Sequence, residues 1–117
     1  MGHTEYNKLR ARDISEGINQ GLFKAEEVVY YFLLRAKQSN KTYNCVTQFL
    51  YESALEKARK IDQRISEGYK YDLDKYPLLG VPISVKDTFH IKNHDSVVGF
   101  LKYLNKPLNF YFFTYLC

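Results

Sequence analysis

The chain has 117 residues and a formal net charge of +4, with 26% charged and 45% hydrophobic residues. This length suits one small domain, and its basic residues alternate with acids, whereas a nucleic-acid binder gathers them on one face. Two cysteines, Cys45 and Cys117, are too few for a disulfide framework and lack zinc-site spacing. The start is unlike a secretory signal, and no apolar run approaches the ~20 residues that span a bilayer. We therefore expect a soluble cytoplasmic chain with free thiols, no metal and no cofactor.

The first half of the chain carries two predicted helices. Residues 13–20 form a short segment that is followed by Gly21, a residue type that commonly ends helices. Residues 24–38 place apolar side chains at helical spacing, with glutamates early and basic residues late, an order that suits the helix dipole. We predict that this second helix ends at residues 39–41.

A third helix is predicted over residues 52–68. Its apolar residues form one stripe, and Glu56 and Lys60 stand four residues apart on the outer side, where they can pair. Gly68 is predicted to cap its end.

Two segments have the composition of strands. Residues 44–50 are rich in β-branched and aromatic types, and residues 78–87 begin as an alternating apolar run. The order helix, helix, strand, helix, strand indicates an α/β arrangement. Because two strands do not make a self-sufficient sheet, we interpret the chain as the opening part of a larger domain.

The second predicted strand contains a lysine, Lys86. Burying an ammonium group costs several kcal/mol unless it is paired or neutral, and a lone lysine at a strand end usually reaches solvent. Here Gly80 and Pro82 bracket the strand start and Asp87 follows the lysine. Glycine at position 80 would permit the close approach of another part of the chain.

The run G-V-P-I-S-V-K-D resembles the amidase signature family, whose members carry a G-[IVL]-P-x-[AS]-[ILV]-K-[DE] strand. Upstream, AEEVVYYFLLRA and NCVTQFLYESALEKARKID are similar to the family's early helix, short strand and alanine-rich second helix. Downstream, IKNHDSVVGFLKYLNKP is similar to a segment of the acetamidase and fatty-acid-amide-hydrolase branch. The resemblance covers residues 10–107.

This resemblance implies a mixed-sheet α/β fold, of which the chain would hold the N-terminal helices and first strands, incomplete. It also implies hydrolysis of a small-molecule carboxamide through a Ser–Ser–Lys triad, in which a buried, neutral lysine relays a proton from the nucleophilic serine through a bridging serine. Only Lys86 matches that triad here. Ser84 is not one of the family's two catalytic serines, and we assign it packing or local hydrogen bonding.

The sequence also departs from the family. The glycine- and serine-rich stretch that carries the two serines and the oxyanion amides does not occur in these 117 residues. The resemblance ends at Pro107, and the remaining residues are uncharged and aromatic. We therefore predict that residues 1–107 are the N-terminal part of an amidase domain, that residues 108–117 are a tail foreign to the family, and that this fragment alone is inactive.

Two alternatives remain open. The chain could be a non-catalytic interaction module that offers apolar helix faces and its aromatic tail to a partner. It could also be a fragment of the amidase subunit of the transamidase that acts on misacylated glutamyl-tRNA, which ranks lower because HDSVVGF is closer to acetamidases. His90 and His94 near Asp95 are not assigned to a metal site, because that segment lacks helical periodicity.

Overall fold

The structure, a computed structural model, describes residues 5–107 and residue 109. Within this part of the chain the regular elements are helices: α1 (Ala11–Gln20), α2 (Ala25–Tyr43) and α3 (Tyr51–Ser66), with single 3₁₀ turns at Tyr6–Lys8 and Leu101–Tyr103. None of the described helices combines the length and the apolar character needed to cross a bilayer. The chain divides into two compact units, the first ending at Pro82 and the second beginning at Ile83.

The first helix, α1, is amphipathic and sharply bounded. At its start, the Asp13 carboxylate accepts hydrogen bonds from the backbone N–H of Arg10 at 3.1 Å and from the Arg10 guanidinium at 2.8 Å. This pairing holds the pKa of the Asp13 carboxyl below its usual value, first through the side-chain hydrogen bond. Ile14 and Ile18 on the inner face are buried, and the helix ends at Gly21, whose φ of 78° is left-handed. The predicted helix is confirmed, with two more residues at its start.

The second helix, α2, is capped by a side chain from α3 instead of by its own N-cap residue. Lys24, at the N-cap position, makes no side-chain cap. Instead, the Asp62 carboxylate accepts the N–H groups of Ala25 at 2.7 Å and of Glu26 at 3.0 Å. A negative charge at this end also complements the helix dipole. Arg59 of α3 donates to the Glu26 carboxylate at 2.8 Å, so two side chains of α3 make three hydrogen bonds to the start of α2.

We expect Asp62→Ala to lower the free energy of unfolding by about 1–2 kcal/mol, the usual cost of removing an N-cap. The matched control is Glu56→Ala, which removes an acid from the same helix but breaks only an exposed ion pair with Lys60, so its loss should be clearly smaller than that of Asp62→Ala. Urea unfolding followed by circular dichroism measures both. Equal losses in the two variants would show that Asp62 does not stabilise α2.

The third helix agrees with its predicted pairing and cap. Lys60 donates to Glu56 at 2.6 Å, as expected for residues four apart. Gly68 adopts a φ of 88°, and its N–H bonds to the carbonyl of Ile65 at 3.0 Å, which closes the helix with a left-handed glycine.

The core of the first unit combines all three helices with the chain that follows α3. Its buried apolar residues are Tyr6, Ile14, Ile18, Ala25, Val28, Val29, Ala58 and Leu79. The segment after α3 is tied to α1 by side chains. The Ser15 hydroxyl lies 3.0 Å from the Pro77 carbonyl, and the Asn19 amide both donates to the Tyr71 carbonyl and accepts the Tyr71 N–H, each at 2.9 Å. These contacts hold the segment that leads into the lysine-bearing stretch.

The predicted strand over residues 44–50 is wrong. The second helix continues past the predicted end at residues 39–41, and the chain leaves it through Asn44, which has a φ of 48°. The Asn40 side chain then accepts the N–H of Val46 at 2.7 Å and donates to the Val46 carbonyl at 3.1 Å. Both backbone groups of Val46, which a neighbouring strand would need, are thus bonded to a side chain.

The strand predicted over residues 78–87 is likewise not found. Its first residues form a turn, in which the N–H of Val81 bonds to the carbonyl of Leu78 at 3.0 Å. Residues 82–86 have no assigned secondary structure, since no second strand lies beside them among the described residues. The helical part of the expected α/β fold is confirmed, whereas its first strands and its sheet are not seen in the part of the chain that the structure describes.

The two cysteines and the C-terminal tail are only partly covered by the described residues. Cys45 is exposed, with a free thiol. Cys117 and most of the aromatic tail, residues 108 and 110–117, lie outside the described residues. The boundary after residue 107 therefore stays a prediction.

Candidate active site

Lys86 lies near the start of the second unit, in the segment that follows Pro82. Its side chain is exposed, and within the described residues its ammonium group has no hydrogen-bond or ion-pair partner. Its carbonyl accepts the N–H of Phe89 at 3.0 Å, so the chain turns directly after the lysine. Ser84, predicted to pack or to bond locally, is exposed as well. The burial that the resemblance implies for the lysine is not provided by the residues described.

Asp87 makes the contacts that organise this unit. Its Oδ1 accepts the N–H of Val97 and its Oδ2 accepts the N–H of Val98, each at 3.2 Å. Its own carbonyl accepts the hydroxyl of Ser96 at 2.8 Å, and Ser96 is 7% exposed. One residue therefore bonds to three consecutive residues about ten positions later, which closes residues 87–98 into a loop that begins beside Lys86.

The end of this loop that bonds to Asp87 contains a strained turn. Val98 has a φ of 51° and Gly99 a φ of 79°. A β-branched residue in the left-handed region is an outlier that persists only where its surroundings hold it. The N–H bond from Val98 to Asp87 is one such restraint, and a second carboxylate bond, from the N–H of Asn105 to Asp95 at 2.8 Å, fixes the chain further on.

The sequence pattern indicates Lys86 as a site residue but gives no role to Asp87. The acid after the lysine was visible in the G-V-P-I-S-V-K-D run, yet its partners stand about ten residues away with no recognisable spacing. Among the described residues, no group of three or more His, Cys, Asp or Glu side chains is placed to hold an ion.

Comparison with known proteins identifies the family. The profile of the Amidase family matches residues 27–110, a region that includes most of α2, all of α3 and Lys86. The chain therefore belongs to the Amidase family. No solved structure matches it significantly.

The relatives are much longer proteins. A putative amidase, kk1C, of Curvularia clavata is 34% identical over 83% of this chain, and the acetamidase of Emericella nidulans is 31% identical over 82%. Human fatty-acid amide hydrolase 2 is 27% identical over 80% of the chain. The matched region is 18%, 17% and 18% of these three proteins, respectively, so the chain spans less than a fifth of their length.

Proposed function

We propose that these residues are the lysine-bearing segment of a carboxamide hydrolase, with Lys86 as the lysine of a Ser–Ser–Lys triad. The observation that carries the proposal is the G-V-P-I-S-V-K-D run, which lies inside the region matched by the Amidase family. The acetamidase and the fatty-acid amide hydrolase among the relatives favour a linear amide as the substrate class.

In the proposed reaction, a serine hydroxyl attacks the amide carbonyl and the amine leaves, which gives an acyl-serine that water converts to the acid. The nucleophile must lose a proton and the departing amine must gain one. Lys86 would carry out this transfer through a second serine, which requires a neutral amine and hence a buried lysine. Lys86 is exposed among the described residues, so this role requires burial that those residues do not provide. It also requires the family's two serines, whose glycine- and serine-rich stretch does not occur in the 117-residue sequence.

We expect the 117 residues alone to release no ammonia from simple amides above the buffer background. The glycine- and serine-rich stretch that would supply the nucleophile and the oxyanion donors does not occur among them. The measurement is an ammonia-release assay on the purified chain and its Lys86→Ala variant. Turnover that is abolished by Lys86→Ala would show that these residues already form a complete site, which contradicts the proposal.

A second candidate is a non-catalytic interaction module. The observation that favours it is the outer face of α2, where Tyr30 and Leu34 stand four residues apart and are 55% and 50% exposed. This alternative gives Lys86 no chemical role, so it predicts that Lys86 can be replaced without loss in any active assembly that contains this segment.

A further inference from the structure

We propose that Asp87 is a positioning residue for Lys86: its two carboxylate oxygens and its carbonyl tie residues 96–98 to the chain that immediately follows the lysine. This inference rests on the proposed function, because it assigns Asp87 a task at the same site. It concerns how the lysine is held and not what the lysine does.

The first step is geometric. Each carboxylate oxygen of Asp87 takes one backbone N–H, from Val97 and from Val98, both at 3.2 Å. Hydrogen bonds to an ionised acceptor are about twice as strong as neutral ones. Two such bonds, with the 2.8 Å bond from Ser96 to the Asp87 carbonyl, fix the backbone on the C-terminal side of Lys86.

The second step concerns the side chain of Lys86. A lysine has a flexible four-carbon stem, so the position of its ammonium group depends first on the backbone that carries it. The turn from Lys86 to Phe89 at 3.0 Å and the Asp87 bonds restrain the residues that follow the lysine, while residues 82–85 before it have no regular structure. Asp87 is therefore the residue that connects Lys86 to the ordered part of its unit.

The third step is the strain at Val98. Its φ of 51° is unfavourable for a β-branched residue, and the carboxylate bond to its N–H helps to offset that cost. The strained partner, Val98, stands eleven residues from Asp87, so this bond is not a local turn contact of a surface aspartate. This arrangement is suited to holding the backbone next to Lys86 in one conformation.

Nuclear magnetic resonance of the full chain tests whether the Asp87 carboxylate bonds to the amides of Val97 and Val98. In the unaltered chain, the amide proton shifts of Val97 and Val98 should follow acid titration with the same midpoint as the Asp87 carboxyl carbon. If neither amide follows the Asp87 carboxyl, the proposal fails, and this result needs no variant to fold.

Asp87→Asn provides the second arm, because an amide can accept through only one oxygen and its NH₂ group opposes the second N–H. We expect hydrogen exchange at Val97 and Val98 to quicken at least tenfold, and the backbone order parameter of Lys86 to fall from about 0.85 to below about 0.6. The matched control, Asp95→Asn, should affect Asn105 and leave Lys86 unchanged.

The outcomes separate the two proposals. Faster exchange throughout residues 83–107, including Asn105, would mean that Asp87 has only a general structural role. An unchanged order parameter at Lys86 would overturn the positioning role, whatever the lysine does. The triad role of Lys86 is decided separately, by activity.

Discussion

Gly80→Ala should lower the free energy of unfolding by about 2–5 kcal/mol, because it combines a backbone penalty with a steric clash. Gly80 has a φ of 69°, a conformation that residues with a side chain rarely adopt. A Cβ added there would lie 2.5 Å from Cδ1 of Ile18 and 3.1 Å from Cβ of Ala25. Both neighbours are fully buried, so neither can move aside cheaply. A loss of this size is a large part of the 5–15 kcal/mol that stabilises a typical domain.

Two variants separate the backbone penalty from the clash. Gly68→Ala is the matched control, since Gly68 also has a left-handed φ, 88°, but no atom lies within 4 Å of its added Cβ. Ile18→Val removes the clashing Cδ1 atom, so Gly80→Ala should cost less in that background than in the unaltered chain. Urea unfolding measures five proteins: the unaltered chain, the three single variants and the Ile18→Val/Gly80→Ala double variant. Equal losses for the two glycine variants, with no coupling to Ile18, would refute the close packing of Gly80.

The helices of the first unit could be predicted because their signals are local. Apolar spacing, the order of charges and the glycines at positions 21 and 68 all act within a few residues, and the structure bears them out. The cap at the start of α2 could not be predicted from such local signals. Its capping residue, Asp62, stands 36 and 37 residues from the N–H groups that it accepts.

The predicted strands failed for a different physical reason. A strand needs a neighbouring strand whose backbone groups donate and accept hydrogen bonds along its length. A composition rich in β-forming residues does not by itself provide that neighbour. In residues 44–50 the Asn40 side chain bonds to both backbone groups of Val46, and residues 82–86 have no ladder partner among the described residues. Composition identified segments suited to a sheet, but not whether a sheet is present.

For the candidate site, the sequence supplied Lys86 and the family, since both depend on a short contiguous pattern. It did not supply the surroundings of the lysine. The bonds of Asp87 to residues 96–98 depend on how a loop closes, and the exposure of Lys86 depends on what packs against it. The spacing of residues in the sequence predicts neither the loop contacts of Asp87 nor the exposure of Lys86.

Exchanging Lys86 within an active enzyme should have the largest functional effect. We consider a chimera in which residues 27–107 replace the matching segment of the Emericella nidulans acetamidase, which is 31% identical to this chain. Positioned proton transfer typically contributes about 10²–10⁴-fold to rate, so Lys86→Met should lower kcat/KM by that factor, equivalent to about 2.7–5.4 kcal/mol of transition-state stabilisation. Lys92→Met is the matched control, since Lys92 is also an exposed lysine of the second unit.

The most direct measurement is therefore ammonia release from acetamide by three folded chimeras: unaltered, Lys86→Met and Lys92→Met. The account predicts activity in the unaltered and Lys92→Met proteins, and a loss of at least about 10²-fold in Lys86→Met. Circular dichroism and thermal melting should show that the three are equally folded. A Lys86→Met chimera as active as the Lys92→Met control, or a folded unaltered chimera without activity, would contradict the role of this segment as the lysine-bearing part of an amidase.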